Sequence, residues 1–181
     1  MNDRIYALFG VAGPLLAFIS VGVSIALSPW FNWERNALSD LGHAVKSGVS
    51  PIFNFGLLMT GLFLTIYAVK VLNKYARWTG YSLVISAFTL QLIAVFDEVY
   101  GVIHLVVSIL FFIFLGTTSL LYAMERKSYS ATAAFTIGLI SWMFYWAGIC
   151  CTGIAVPETI SSVAVLLWII TSALRICRKE H

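Results

Sequence analysis

Residues 102–122 read VIHLVVSILFFIFLGTTSLLY, a run without Lys, Arg, Asp or Glu. Asp97 and Glu98 stand before it, and Glu125, Arg126 and Lys127 close it. A hydrocarbon core of ~30 Å needs ~20 helical residues, so this run is long enough to cross a bilayer. Lipid offers backbone groups no hydrogen-bond partner, which leaves helices or closed barrels as the spanning structures. The run is continuously apolar and does not alternate with period two, so it predicts a helix.

Five further runs have the same character, at about residues 5–27, 52–72, 79–96, 131–151 and 157–174. Sixty percent of the 181 residues are apolar and only 10% are charged, too few charges to cover a soluble core. We therefore expect an all-α polytopic membrane helix bundle of six spans. No polar linker, low-complexity stretch or internal repeat divides it, so residues 1–181 read as one membrane domain. The first run is too long for a signal-peptide core and no small-residue cleavage pattern follows it, so it reads as a retained span. Gly13-Pro14 is expected to kink that span, because proline lacks the backbone donor. Pro157 suits the first turn of the last helix, where no donor is needed.

Orientation follows from the basic residues. One side collects Arg4, Lys70, Lys74, Arg77, Arg126, Lys127, Arg175, Arg178 and Lys179, and the other only Arg35 and Lys46. This places a multi-pass protein in the cell membrane with both ends of the chain cytoplasmic. The acids divide the opposite way. Asp3, Glu125 and Glu180 fall on the basic side; Glu34, Asp40, Asp97, Glu98 and Glu158 fall on the outer side, with His43 and His104. Trp30, Trp33, Tyr100, Trp142, Tyr145 and Trp146 lie near the same boundary, where amphipathic rings favour headgroup depth. An aromatic belt accounts for most of them, and Trp146 is a candidate wall for a lipid headgroup.

The outer connections thus carry nearly every side chain able to do acid–base or metal chemistry. The first reads WFNWERNALSDLGH over residues 30–43. It is too apolar to float in water and too short to span, so it is expected to fold back as a short interfacial helix. In a helix, Asp40 and His43 would share a face at i,i+3 spacing, while Glu34 beside Arg35 reads as a solvated ion pair. In the second connection Gly101 supplies a turn, so Asp97 should end one helix and His104 begin the next. Asp97 or Glu98 then becomes a candidate partner for a buried imidazole. Glu158 opens the last span, where the helix dipole favours an acid. Asn54 and Gln91 sit slightly deeper and extend the patch or join helices.

Asn36, Ser39, Asp40, His43, Asp97, Glu98, His104, Glu158 and Trp146 are the candidate ligand-binding residues. His43, His104 and Asp97 are candidate metal ligands, zinc being possible with a water in the open position. Should the protein be an enzyme, its catalytic groups would come from Asp40, His43, Asp97, His104 and Glu158. Each of these also has a plain structural use as a cap, a hairpin hydrogen bond or a solvated charge. Cys150, Cys151 and Cys177 read as small apolar residues; the adjacent pair is too strained for a disulfide, and Cys177 in the basic tail is a candidate for palmitoylation. The sequence contains no phosphate loop, no nucleophile elbow and no nucleic-acid signature.

The stretch Asn36-Ala37-Leu38-Ser39-Asp40-Leu41-Gly42 after the first span, His104 opening the fourth and Glu158 opening the sixth resemble the family called domain of unknown function 998. That resemblance covers essentially the whole chain. It implies a compact six-span membrane protein and carries no activity with it. Ser39, Asp40, His43 and His104 bear a weaker resemblance to the hydrolase superfamily of alkaline ceramidases and adiponectin receptors, which hold zinc with three histidines among seven helices. Three functions fit these residues: an outward-facing acid and histidine cavity binding a lipid headgroup or another amphiphile, a metal-dependent lipid hydrolase, and a proton-coupled transporter. Membrane lipid is the expected partner. Charges at the edge of the spans count against transport, which places them at the midplane.

Overall fold

A computed structural model describes residues 3–179, and every regular element among them is helical. Glu180, assigned above to the basic side, lies outside the described residues. Six long helices follow one another: α1 Asp3–Ala26, α2 Ser50–Tyr75, α3 Arg77–Val95, α4 Val102–Arg126, α5 Tyr129–Trp146 and α6 Ala155–Lys179. The short helix expected after the first span is a 3-10 turn, Leu38–Gly42, and a second such turn, Glu98–Tyr100, joins α3 to α4.

α1, α2, α3, α4 and α6 are long and apolar enough to cross a membrane. α5 has only 18 residues, and Tyr129, Trp142, Tyr145 and Trp146 dilute its apolar character. The chain is a multi-pass integral membrane protein.

A helix break at Leu8 and an early end to α5 were not expected from the sequence. α1 continues as helix from Phe9 through Pro14 to Ala26, and its break falls at Leu8. Gly13 and Pro14 are buried, and the Thr60 hydroxyl donates to the Gly13 carbonyl at 3.2 Å, which ties α2 to this point. α5 stops at Trp146, short of the expected residue 151. Beyond it Gly148 takes φ +68°, and the chain turns to pair with the first outer connection. There the Thr152 and Gly153 N–H groups donate to the Glu34 carbonyl, at 3.0 and 2.7 Å, and Ala155 N–H donates to the Asn36 carbonyl at 2.9 Å.

Each helix packs on its successor, and α6 closes the ring against α1. α5 packs on α4 and α6 from outside. The interior is therefore enclosed by α1, α2, α3, α4 and α6. On the basic side this interior is filled by an aromatic layer. Trp168 is buried and donates its indole N–H to Ser119 Oγ at 2.9 Å; Tyr122 stacks on it with ring centroids 4.6 Å apart. Tyr67, also buried, shares a 3.0 Å hydrogen bond with Ser172. The polar tips are thus satisfied inside the bundle, as a low dielectric demands. At the same end Lys74 pairs with Asp3 at 2.6 Å, and Glu125 accepts from the Trp78 and Thr79 N–H groups that open α3.

Small residues bring the helices close. Gly56 on α2 faces Ser20 on α1, and a Cβ at Gly56 would overlap the Ser20 side chain. Gly56→Ala should therefore lower the thermal midpoint in detergent, with an overpacking cost of about 1–3 kcal/mol. Adding Ser20→Gly moves the missing methylene to the facing helix and should recover most of the loss. A single variant as stable as the parent would show that α1 and α2 do not touch here.

Candidate functional site

The turn over residues 37–44 lies across the outer end of the ring, and its N–H groups lack the partners a long helix would give them. Carboxylates from three separate segments take their place. Asp40 Oδ2 accepts from Ala37 N–H at 3.0 Å and from Asn36 Nδ2 at 2.7 Å. Glu158 Oε2, from the first turn of α6, accepts from Leu38 N–H at 2.8 Å. Asp97 Oδ2 accepts from Ala44 N–H at 3.2 Å, while its Oδ1 caps the second turn through Val99 N–H at 2.8 Å. Ser39 Oγ donates to Glu98 Oε1 at 2.6 Å. From below, Asn54 Nδ2 donates to the Gly42 carbonyl at 2.8 Å. A Cβ at Gly42 would come within 2.5 Å of Asn54 Oδ1 and 2.8 Å of the Phe53 ring, so the turn sits directly on α2.

The carboxyl groups of Asp40 and Glu98 lie close enough to act on each other, and their pKa values move in opposite directions. On Asp40, burial opposes charge, but hydrogen bonds from Glu98, Asn36 and Ala37 N–H outweigh it and hold the carboxyl below its usual value. On Glu98, burial, then the Asp40 hydrogen bond and charge, push the carboxyl above its usual value. Of the two, Glu98 therefore holds a proton to higher pH and Asp40 keeps its charge to lower pH.

Beneath the turn lies a cavity of about 130 Å³, partly open and lined by α1, α2, α3, α4 and α6. Its upper end carries Ser39, Ser108, Glu158, Thr159 and Ser162. Its walls are Phe18, Val21, Phe53, Leu57, Leu90, Ile93 and Phe111, and Leu64, Leu115 and Leu166 bound it toward the aromatic layer. From Glu158 to Leu166 it runs ~12 Å along α6, at ~1.5 Å per residue. The cavity thus has one carboxyl group, Glu158, and several hydroxyls at its outer end above a mainly apolar shaft.

Asn36, Ser39, Asp40, Asp97, Glu98 and Glu158 are gathered by the structure around the turn. The remaining candidates are placed otherwise. His104 is only 8% exposed, but its partners are the Phe96 carbonyl, 2.8 Å from Nδ1, and Ser108 Oγ, 3.3 Å from Nε2. It hydrogen-bonds neither Asp97 nor Glu98, because Asp97 faces the turns it caps and Glu98 faces Ser39 and Asp40. A carbonyl only accepts, so Nδ1 carries the proton. His43 follows the 3-10 turn in extended conformation, and its Nδ1 accepts from Val45 N–H at 3.3 Å. Its backbone N–H donates to the Asp40 carbonyl at 3.3 Å, but no hydrogen bond joins the two side chains. Trp146 is 71% exposed and packs on Trp142, on the helix that stays outside the ring. It is no part of the site. Gln91 bonds the Leu58 carbonyl and lines an outer groove between α2 and α3. Glu34 and Arg35 are both exposed, and the expected ion pair between them does not form among the described residues.

His43, His104 and Asp97 do not come together as a metal site. Among the described residues no three His, Cys, Asp or Glu side chains are grouped to hold an ion. Ser108 was missed by the sequence reading, although its i,i+4 spacing from His104 signals the contact. The Asp40–Glu98 pair carried no such signal, since packing alone joins them.

The opposed pKa shifts of Asp40 and Glu98 make the turn sensitive to pH. The stability Asp40 contributes is present above its unfolded pKa and is lost as pH falls through its lowered folded value. Glu98's contribution is present below its unfolded pKa and is lost as pH rises through its raised folded value. The turn is held best in the acid window between the two folded values. Glu98→Gln, which keeps a donor toward Asp40, should abolish the loss on the alkaline side. Asp40→Asn should cost about 1–3 kcal/mol by weakening the acceptor for Asn36 and Ala37. Thermal midpoints in detergent across pH check both; parallel profiles for the parent and Glu98→Gln would exclude the coupling of the two carboxyl groups.

No curated protein and no solved structure matches the chain. Kinship with the alkaline ceramidase and adiponectin receptor hydrolases finds no support in these comparisons or in the histidine positions. The family described as protein of unknown function (DUF998) matches residues 11–175. With nearly its whole length matched and a bundle of six long helices, the chain belongs to that family.

Proposed function

We propose that this protein binds a single-chain amphiphile, with the head at the cavity end lined by Ser39 and Glu158, beside the Asp40 and Glu98 pair, and the chain in the shaft below. The observation that carries this reading is one continuous and almost wholly apolar cavity whose outer end carries the Glu158 carboxyl and the hydroxyls of Ser39, Ser108, Thr159 and Ser162, with Thr60 and Ser86 the polar residues lower down. A void of similar size, about 150 Å³ and lined by Leu, Ile and Phe, stays dry and accepts small apolar guests. By the asymmetry of Lys and Arg, the rim faces away from the cytoplasm and both chain ends lie within it. A hydrocarbon chain gains little on leaving lipid for a leucine-lined cavity, since both are apolar. Recognition therefore rests with the head, where the acceptors are.

The hydrolase reading needs a metal set or an activated nucleophile at the rim. The three proposed ligands are not grouped, and Ser39 faces an acid rather than a base. The carboxyl groups lie at one end of the helices, which suits a rim better than a transport path.

Displacement of a fluorescent alkyl probe from the protein in nanodiscs tests the reading. Leu90→Trp fills the shaft and should weaken probe binding at least ~10-fold, about 1.4 kcal/mol. Ile113→Trp, on the exposed face of α4, should leave binding unchanged. Equal binding by all three proteins would reject the cavity as the site.

A further inference from the structure

The rim's distribution of donors and acceptors is uneven, and this selects among head groups. Glu158 is only 6% exposed and lines the cavity. Its Oε2 is engaged by Leu38 N–H, while Oε1 has no hydrogen-bond partner among the described residues. Beside it stand Glu98 and Asp40, close enough to act on it electrostatically. The N–H groups that line the turn, at Ala37, Leu38 and Ala44, are already consumed by carboxylates. No basic side chain lines the cavity. Arg35 and Lys46, the basic residues of this face, are both exposed, and neither forms an ion pair among the described residues.

A phosphate or carboxylate head placed here would find the N–H groups of Ala37, Leu38 and Ala44 already bonded, no basic side chain in the cavity lining, and the Glu158 carboxyl facing it. An ammonium has three donors and a positive charge. It would satisfy the idle Glu158 oxygen and offset the cost of a carboxyl group held in a low dielectric. Resting on the amphiphile reading above, we infer that the preferred ligand is a single-chain amine, whose protonated nitrogen bonds Glu158 Oε1 while its chain fills the shaft toward Leu166.

The experiment compares octylamine, octanol and octyl phosphate as competitors for the alkyl probe, in zwitterionic nanodiscs with protein-free discs as blank. Octylamine should compete at least ~10-fold better than octanol, and octyl phosphate should be the weakest. Glu158→Gln keeps the side chain's shape and an acceptor for Leu38 N–H. It should bring octylamine down to the level of octanol without changing octanol competition. A thermal midpoint equal to the parent's verifies that the variant is folded; if it is not, Glu158→Asp, which shortens the acid and withdraws it from the nitrogen, should reduce the amine preference instead. Octanol equal to octylamine on the parent protein would overturn the amine assignment and leave the amphiphile reading standing. Octyl phosphate equal to octylamine, or an amine preference that survives the Glu158 substitution, would overturn it as well. Failure of all three to compete, with Leu90→Trp without effect on the probe, would overturn both.

Discussion

A turn laid across the mouth of a helix bundle cannot leave its backbone donors bare, because the surroundings supply no water to satisfy them. Here the N–H groups of Ala37, Leu38 and Ala44 are met by carboxylates from the turn itself, from the first turn of α6, and from the connection after α3, while those of Asp40 and His43 donate to carbonyls of the turn. These bonds fix the outer end of the molecule. The start of α6 is held to a residue 120 positions earlier in the chain, and the segment before it is held by backbone bonds to Glu34 and Asn36. The acids therefore have two roles that cannot be separated. The oxygen atoms that hold the turn shape the rim, and the oxygen left over on Glu158 gives it chemistry.

The shaft follows from the ring. Five helices surround an interior that their side chains fill on the basic side, where Trp168, Tyr122 and Tyr67 make a satisfied aromatic layer. Toward the outer side the filling is incomplete, and a space of about 130 Å³ remains. By the scaling seen for buried voids, an empty space of that volume costs on the order of 3 kcal/mol. An occupant that restores the missing contacts recovers part of that cost. This vacancy opens at the end where polar groups stand ready to orient a guest.

The histidines illustrate how far pattern reading reaches. His104 was read as buried and in need of a partner, and it is buried; its partners are the last carbonyl before the Asp97 turn and a serine one helical turn on. The error concerned direction: Asp97 is aimed at the backbone of the two turns, and the imidazole finds the Phe96 carbonyl instead. Asp40 and His43 failed for a related reason. The i,i+3 rule holds within a helix, and the 3-10 turn ends at Gly42, leaving His43 extended. Trp146 was placed at the correct end of its helix, but that helix lies outside the ring.

By itself the sequence determined the solvent of this protein and the architecture that solvent permits. Apolar runs of membrane-spanning length force backbone hydrogen bonds inward, and so they specify helices, their number and the clustering of acids at one end. It also identified most of the residues at the rim, because ionisable groups beside hydrocarbon are rare enough to be conspicuous. Only the tertiary structure decided which acids meet. Asp40 and Glu98 are 58 positions apart, and no periodicity links them; their coupling exists because the turn folds back over α2 and α3. The shaft was likewise invisible in the sequence. Whether a leucine faces lipid, a neighbour or a void depends on the rotation of its helix, and in a chain apolar on every side composition carries almost no record of that rotation.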